Sequence, residues 1–239
     1  SIVILAKGLS IVNNKLSTIS YKIEKLLREK GIKSNNISAI KGPCLAAGLA
    51  NKIRTSTLIA SNNISEAKSL QKVITTNYYS TEVSDDLNGV ELSGAIKNIY
   101  SMIIGASEGL SSSSAENKIK SKYFHNTSAS LIHKSISEMA RFVRYYGGKA
   151  DTVYGLAGLG DLYVSAIGGR NSQMGKYLGE GYLYKQAKEK FMNEVTVEGA
   201  ELAIEVGSKI KEDLDKKDFP LMLSIIDCIC DNKKLEISW

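Results

Sequence analysis

Residues 151–172 read DTVYGLAGLGDLYVSAIGGRNS and place five glycines around Asp161, Ser165 and an Arg170-Asn171 pair. Gly155, Gly158 and Gly160 allow tight turning or close approach of backbone to a ligand. Asp161 and Ser165 are four positions apart, so a helix carries both on one face. Gly168-Gly169 then delivers Arg170 and Asn171 to the start of an amphipathic segment. Free amide N–H groups at such a start, beside a guanidinium fork, suit a bound anion.

A second candidate is Lys97, the one lysine in the small and apolar run from Gly89 to Ala106. On a helix, Gly94, Lys97, Ser101 and Gly105 share one stripe, and Leu92, Ile96, Ile99 and Ile103 form its apolar neighbour. The lysine therefore stands in a groove of small residues, where a ligand or another backbone can approach. Partial burial there readies an amine for proton transfer. Each feature also has a plainer reading: a snorkelling lysine, a helix-capping aspartate, a solvated arginine. Lys7 follows the apolar run Ile2–Ala6, at a strand end where ligands of open α/β sheets collect.

These groups need a scaffold, and 239 residues can build one large or two small domains. Hydrophobic content of 43% and charge of 23% are ordinary for a globular protein. No apolar run approaches the roughly 18 residues of a membrane span. Three cysteines (Cys44, Cys228, Cys230) without a C-x-x-C pair fit a reduced, cytoplasmic protein. The two histidines, His125 and His133, lack ligand spacing to a cysteine, so no metal is expected. The net charge of +6 lies wholly in residues 1–86, with 12 Lys/Arg against 6 Asp/Glu. That excess reads as a solvated lysine-rich surface, or as a field favouring phosphate-bearing ligands. No basic run with interleaved aromatics supports nucleic-acid binding.

Hydrophobic periodicity predicts strands at 1–6, 37–40, 55–60 and 78–83, with helices at 16–30 and 65–73. Alternation of this kind indicates an α/β unit with a largely parallel sheet. After Asp86 the pattern changes, and 87–108, 126–146, 172–190, 197–213 and 220–231 all prefer helix. The expected organisation is residues 1–87 as an α/β domain and 88–239 as an all-helical domain, with Ser111–Ser114 as a mobile loop. No strand–G-x-G-x-x-G–helix occurs, because Gly155-x-x-Gly-x-Gly160 has the wrong spacing and no strand before it.

Taken in order, Ala6-Lys7-Gly8-Leu9, Gly42-Pro43, Lys97-Asn98, Asn126-Thr127 with Glu138-Met139, Gly158-Leu-Gly-Asp161, Gly169-Arg-Asn171 and Val197-Glu198-Gly199 resemble the NAD-dependent glycerol-3-phosphate dehydrogenases. The resemblance runs to about Val206. It implies the second half of a Rossmann domain followed by an all-α domain of the 6-phosphogluconate dehydrogenase C-terminal type. It implies hydride transfer between NAD or NADP and dihydroxyacetone phosphate, giving sn-glycerol 3-phosphate, in a homodimer. Its residue roles carry over as follows. Lys97 is the acid/base at the substrate's C2 oxygen, with Asp161 and Asn98 setting its charge and position. Arg170 and Asn171 clamp the phosphate, helped by Ser165 and Lys7. Lys7, Arg170 and Glu198 touch the coenzyme. Two departures stand out: serine replaces the family's usual threonine at 165, and the run Cys44-Leu-Ala-Ala-Gly-Leu-Ala50 lacks the acidic residue that the family tends to carry between Gly42-Pro43 and the next strand.

Against the family, the chain is expected to begin in the middle of the nucleotide domain, without the pyrophosphate turn or the ribose-binding acid. The isolated chain is accordingly expected to be inactive, with the missing half supplied by a separate chain or by fusion. Rival readings are an inactive remnant or association module, and a ketopantoate reductase or hydroxyacid dehydrogenase on the same two-domain plan. Intact Lys97, Asp161 and Arg170 argue against the first. The two glycine-flanked blocks argue against the second.

Overall fold

The computed structural model describes residues 1–32, 36–112 and 124–238. The chain forms two compact units: Ser1–Ala95 with Met139–Val164, and Ile96–Glu138 with Ser165–Trp239. The units do not follow chain order, since Met139–Val164 returns to the first.

In the first unit, β1 (Ile2–Ile4), β4 (Ile37–Lys41), β5 (Thr55–Ser61) and β6 (Tyr79–Ser84) form one sheet in the order β1-β4-β5-β6. Ile4, Ile37, Ala39, Leu58 and Ala60 cluster with Leu87, Val90 and Ala157 to make its core. The sheet is rich in parallel pairs, but β4 and β5 run antiparallel. Residues 42–54 hold only the short α2 (Ala46–Ala50), too little for the helical crossover a parallel return requires. At Gly42, with φ 141°, an added Cβ would lie 3.1 Å from the Thr57 Cα.

The helix expected over 16–30 begins later, at α1 (Ile19–Glu29). Residues before it belong to a hairpin, β2 (Leu9–Val12) with β3 (Lys15–Thr18). Asn13 and Asn14, at φ 51° and 59°, make the left-handed two-residue turn that matches strand twist. Thr18 then caps α1 by accepting from the Tyr21 amide. The remaining helix of this region, α3 (Ile64–Ile74), is capped by Asn63.

The long helix α4 (Leu87–Ser112) begins in the first unit and continues into the second. Its start is tied down by buried Asp86, which accepts from the amides of Gly89 and Lys149 at 2.9 Å each and from the Thr152 hydroxyl. Asn88 donates its side-chain amide to the carbonyl of Tyr146 at 2.7 Å. Ser113 and Ser114 of the expected serine loop lie outside the described residues.

The second unit is helical among its described residues, and no helix among them is long and apolar enough to cross a membrane. It holds most of α5 (His125–Tyr145), then α7 (Arg170–Gly179), α8 (Tyr184–Phe191), α9 (Glu198–Asp213) and α10 (Pro220–Cys230). The single helix expected over 172–190 is two, because Gly181 at φ 98° turns the chain between α7 and α8. Small residues set the α4–α7 crossing: a Cβ on Gly105 would strike the Ser172 carbonyl, and one on Gly175 the Met102 carbonyl. Buried Glu138 accepts from the amides of Leu221 and Met222 at 2.9 and 3.1 Å, satisfying the N-terminus of α10, and takes the Tyr100 hydroxyl at 3.1 Å.

Between α5 and α7 the glycine-rich stretch forms a 3-10 turn (Ala150–Tyr154), a π turn (Leu156–Gly160) and the short α6 (Asp161–Ala166). Gly158 packs directly on the Val153 carbonyl, leaving no room for a side chain.

Candidate functional site

Within the first unit, the chain leaving β1 carries Lys7, whose ammonium lies 2.8 Å from the Asp161 carboxylate. Asp161 opens α6 and its side chain is only 3% exposed, while Lys7 remains 32% exposed. A carboxylate so deeply placed persists only when it is paired or hydrogen-bonded, and Lys7 is one such partner.

Behind this pair stands a residue that motif reading missed. Lys41 ends β4 and is 2% exposed. Its Nζ donates to the carbonyls of Ile4 at 3.2 Å and Ala6 at 2.8 Å, with Leu5 at 3.5 Å. Burial pushes the Lys41 amine down to about 8, against the pull of Glu91; the charge on Lys7 lowers it further and that on Asp161 raises it. Glu91 is equally buried and accepts from the Ser20 amide at 3.2 Å. Burial raises its pKa, and the Ser20 hydrogen bonds oppose that rise. The signal available in sequence was a lysine closing an apolar strand directly before Gly42-Pro43. The small-residue groove of α4 has its explanation here at one end: Gly94 admits the aliphatic stem of Lys41, whose Cδ would be 3.0 Å from an added Cβ.

Within the second unit, Lys97 is 4% exposed and donates to the Ser165 hydroxyl. Ser101, one turn further along α4, donates to the Ser165 carbonyl at 2.7 Å. The stripe read from spacing thus places Lys97 and Ser101 against the end of α6. Asn98 is buried, and its carbonyl faces Gly199. Arg170, half exposed, opens α7 and pairs with Glu198, the first residue of α9. Asn171 bridges the same segment: its Oδ1 accepts from the Gly199 amide at 2.8 Å and its Nδ2 reaches Glu198 at 3.3 Å. The N-cap of α7 is Gly169, with no side-chain hydrogen bond to the helix start. A helix start beside a guanidinium is chemistry that can hold an anion, and here the Glu198 carboxylate takes the guanidinium.

The expected residues are therefore divided between the units, Lys7 and Asp161 in one, and Lys97, Asn98, Ser165, Arg170, Asn171 and Glu198 in the other. A cleft of about 710 Å³ elsewhere in the first unit, lined by Lys15, Tyr21, Asn63 and Asn88, borders none of them and is not part of this site. Cys44 is half-buried, its thiol raised chiefly by burial.

Residues 86–238 match the sequence profile of the NAD-dependent glycerol-3-phosphate dehydrogenase C-terminus. The chain is 32% identical over 220 residues to the NADP(+)-dependent glycerol-3-phosphate dehydrogenase of Archaeoglobus fulgidus, covering 89% of this chain and 62% of that protein. It is 37% identical over 155 residues to glycerol-3-phosphate dehydrogenase [NAD(P)+] of Coxiella burnetii, covering 64% of this chain and 43% of that protein. The crystal structure of the enzyme from Coxiella burnetii superposes with a TM-score of 0.77 at 29% identity, over 97% of this chain and 65% of that one. The chain thus spans less than two thirds of the length of these relatives. By its profile match, the chain belongs to the family of NAD-dependent glycerol-3-phosphate dehydrogenases.

Proposed function

We propose that this chain is the larger part of a glycerol-3-phosphate dehydrogenase, interconverting dihydroxyacetone phosphate and sn-glycerol 3-phosphate with NAD(H) or NADP(H). The observation that carries the reading is buried Lys97, hydrogen-bonded to Ser165 on a chain whose sequence matches this family.

Reduction of a ketone builds negative charge on its oxygen, and a buried ammonium stabilises that charge and then delivers its proton. Lys97 has that role. Ser165 orients the Lys97 amine, and Asn98 and Asp161 set its position and charge. Arg170 and Asn171 hold the phosphate, with Ser165 and Lys7 assisting. Glu198 then serves as the resting partner of Arg170 and a contact to the coenzyme, and Lys7 and Arg170 reach the coenzyme too. Pre-positioning of substrate against the proton donor accounts for much of the rate enhancement.

The residues present fit the reactive end of a nicotinamide dinucleotide in charge: cationic Lys7 and Arg170, with Arg170 at the start of α7. When bound, the nicotinamide supplies the hydride. Among the described residues, no glycine-rich turn between a strand and a helix is placed to hold the pyrophosphate. The 239 residues alone are therefore expected to lack turnover until the first Rossmann half joins them, in the same or a separate chain. The functional enzyme is a homodimer in this reading. NADH absorbance with dihydroxyacetone phosphate tests it: the full-length protein oxidises NADH and its Lys97→Ala variant does not. A full-length protein inert toward that substrate overturns the reading.

A further inference from the structure

Lys41 has no part in the reading above, yet it is the most buried lysine described near Lys7 and Asp161. A buried ammonium persists only where several groups satisfy it. Here the partners are backbone carbonyls of consecutive residues, Ile4 and Ala6, with Leu5 between them at the limit of hydrogen bonding. Those carbonyls lie where the chain leaves β1, whose sheet pairing stops at Ile4 with Ala39. The next residue after Ala6 is Lys7, bonded to Asp161. Gly94 leaves space for the Lys41 stem, and Glu91 acts on it from α4.

We propose that Lys41 is a positioning residue: bonded to the Ile4 and Ala6 carbonyls, it sets the course of the segment that presents Lys7 to Asp161. The charged groups that face it are Lys7 on its own segment, Asp161 at the start of α6 and Glu91 on α4. Without Lys41 the carbonyls would turn to water, the segment would shift, and Lys7 would leave its carboxylate. The proposal rests on the dehydrogenase reading only for what Lys7 then does to substrate.

The test has two arms, both on the full-length protein. The first needs no reaction. Trace acetylation of amines, read by peptide mass spectrometry at pH 9.5, reports the reactivity of Lys7 when Lys41 has largely lost its charge. Lys41→Met is expected to raise Lys7 reactivity at least fivefold, with exposed Lys52 within twofold of wild type. Should Lys41→Met fail to fold, Gly94→Ala crowds the Lys41 stem and is expected to raise Lys7 reactivity at least twofold. The second arm is NADH oxidation. Lys41→Met is expected to lose about tenfold in kcat/KM, and the Lys7→Met/Lys41→Met double variant to fall within twofold of Lys7→Met alone. Unchanged Lys7 reactivity in a folded variant, or additive losses in the double variant, overturns the proposal. A wild-type protein without activity overturns the function instead, and the acetylation arm still decides Lys41.

Discussion

At the scale of single residues, charged side chains standing among glycines or small residues in the sequence are ones the structure buries or pairs. Lys97, Asp161 and Arg170 were marked in that way, and each is paired in the structure, with Ser165, Lys7 and Glu198. Lys41 was not legible, because its partners are carbonyls distant in sequence, and backbone carbonyls leave no mark in a residue pattern. Two predictions belong here. Arg170→Ala is expected to raise KM for the phosphorylated substrate with a smaller change in kcat, since a charge-assisted contact is worth roughly 1.5–3 kcal/mol; steady-state kinetics at fixed salt checks it. Ser165→Ala removes the hydrogen bond to Lys97 and is expected to lower kcat more than it raises KM. Ser165→Thr, which keeps the hydroxyl, is expected to retain activity, and a Ser165→Ala enzyme with wild-type kcat would refute the orienting role.

At the scale of elements, the helices expected over 87–108, 126–146, 197–213 and 220–231 lie within a few residues of those observed, whereas 16–30 and 172–190 are broken by turns that periodicity did not show. The stripe on α4 follows from spacing alone, and its glycines at 94 and 105 prove to be contact points. The β2–β3 hairpin was missed because Asn13-Asn14 substitutes for the Asn-Gly that usually signals such a turn, and its apolar residues merge into the pattern of α1. The break between α7 and α8 depends on a single backbone angle at Gly181. The α4–α7 crossing yields a stability prediction. Gly175→Ala sets a methyl against the Met102 carbonyl, and overpacking of this kind costs about 1–3 kcal/mol. Urea unfolding followed by circular dichroism should show that loss. Gly31→Ala, with open space around the site but φ of 71°, is expected to cost less, from backbone strain alone, and serves as a comparison.

At the scale of the whole molecule, a sheet-bearing region followed by helices was legible from the change of period near residue 87, while the return of Met139–Val164 to the first unit was not. That segment mixes a helix end with glycine turns, and its allegiance depends on contacts such as Asp86 with Lys149 and Thr152. The antiparallel β4–β5 pair was hidden because sequence shows strand lengths and not strand directions. Lys41 also links the molecule's stability to pH. Its folded pKa of about 8 lies below the 10.5 of an unfolded lysine, so the unfolded chain binds more protons between those values. The contribution of Lys41 to stability is therefore expected to rise with pH across that window, by on the order of 2 kcal/mol between pH 7.5 and 9.5, against the opposing effect of the buried Cys228 thiol, which is pushed up to about 12. The rise is absent from Lys41→Met, and urea unfolding at the two pH values separates the variants.

The buried start of α4 also bears on how the protein ages. Asn88-Gly89 is the dipeptide most prone to spontaneous deamidation, because an unhindered glycine amide can attack the asparagine side chain to close a succinimide. Here the Gly89 amide is committed to Asp86, the Asn88 side chain is held by the Tyr146 carbonyl, and the backbone between them is helical. Cyclisation must wait until that helix end opens. The rate at which Asn88 turns to aspartate, followed by peptide mapping over weeks, thus becomes a clock for local opening, and Asp86→Asn is expected to make it run faster.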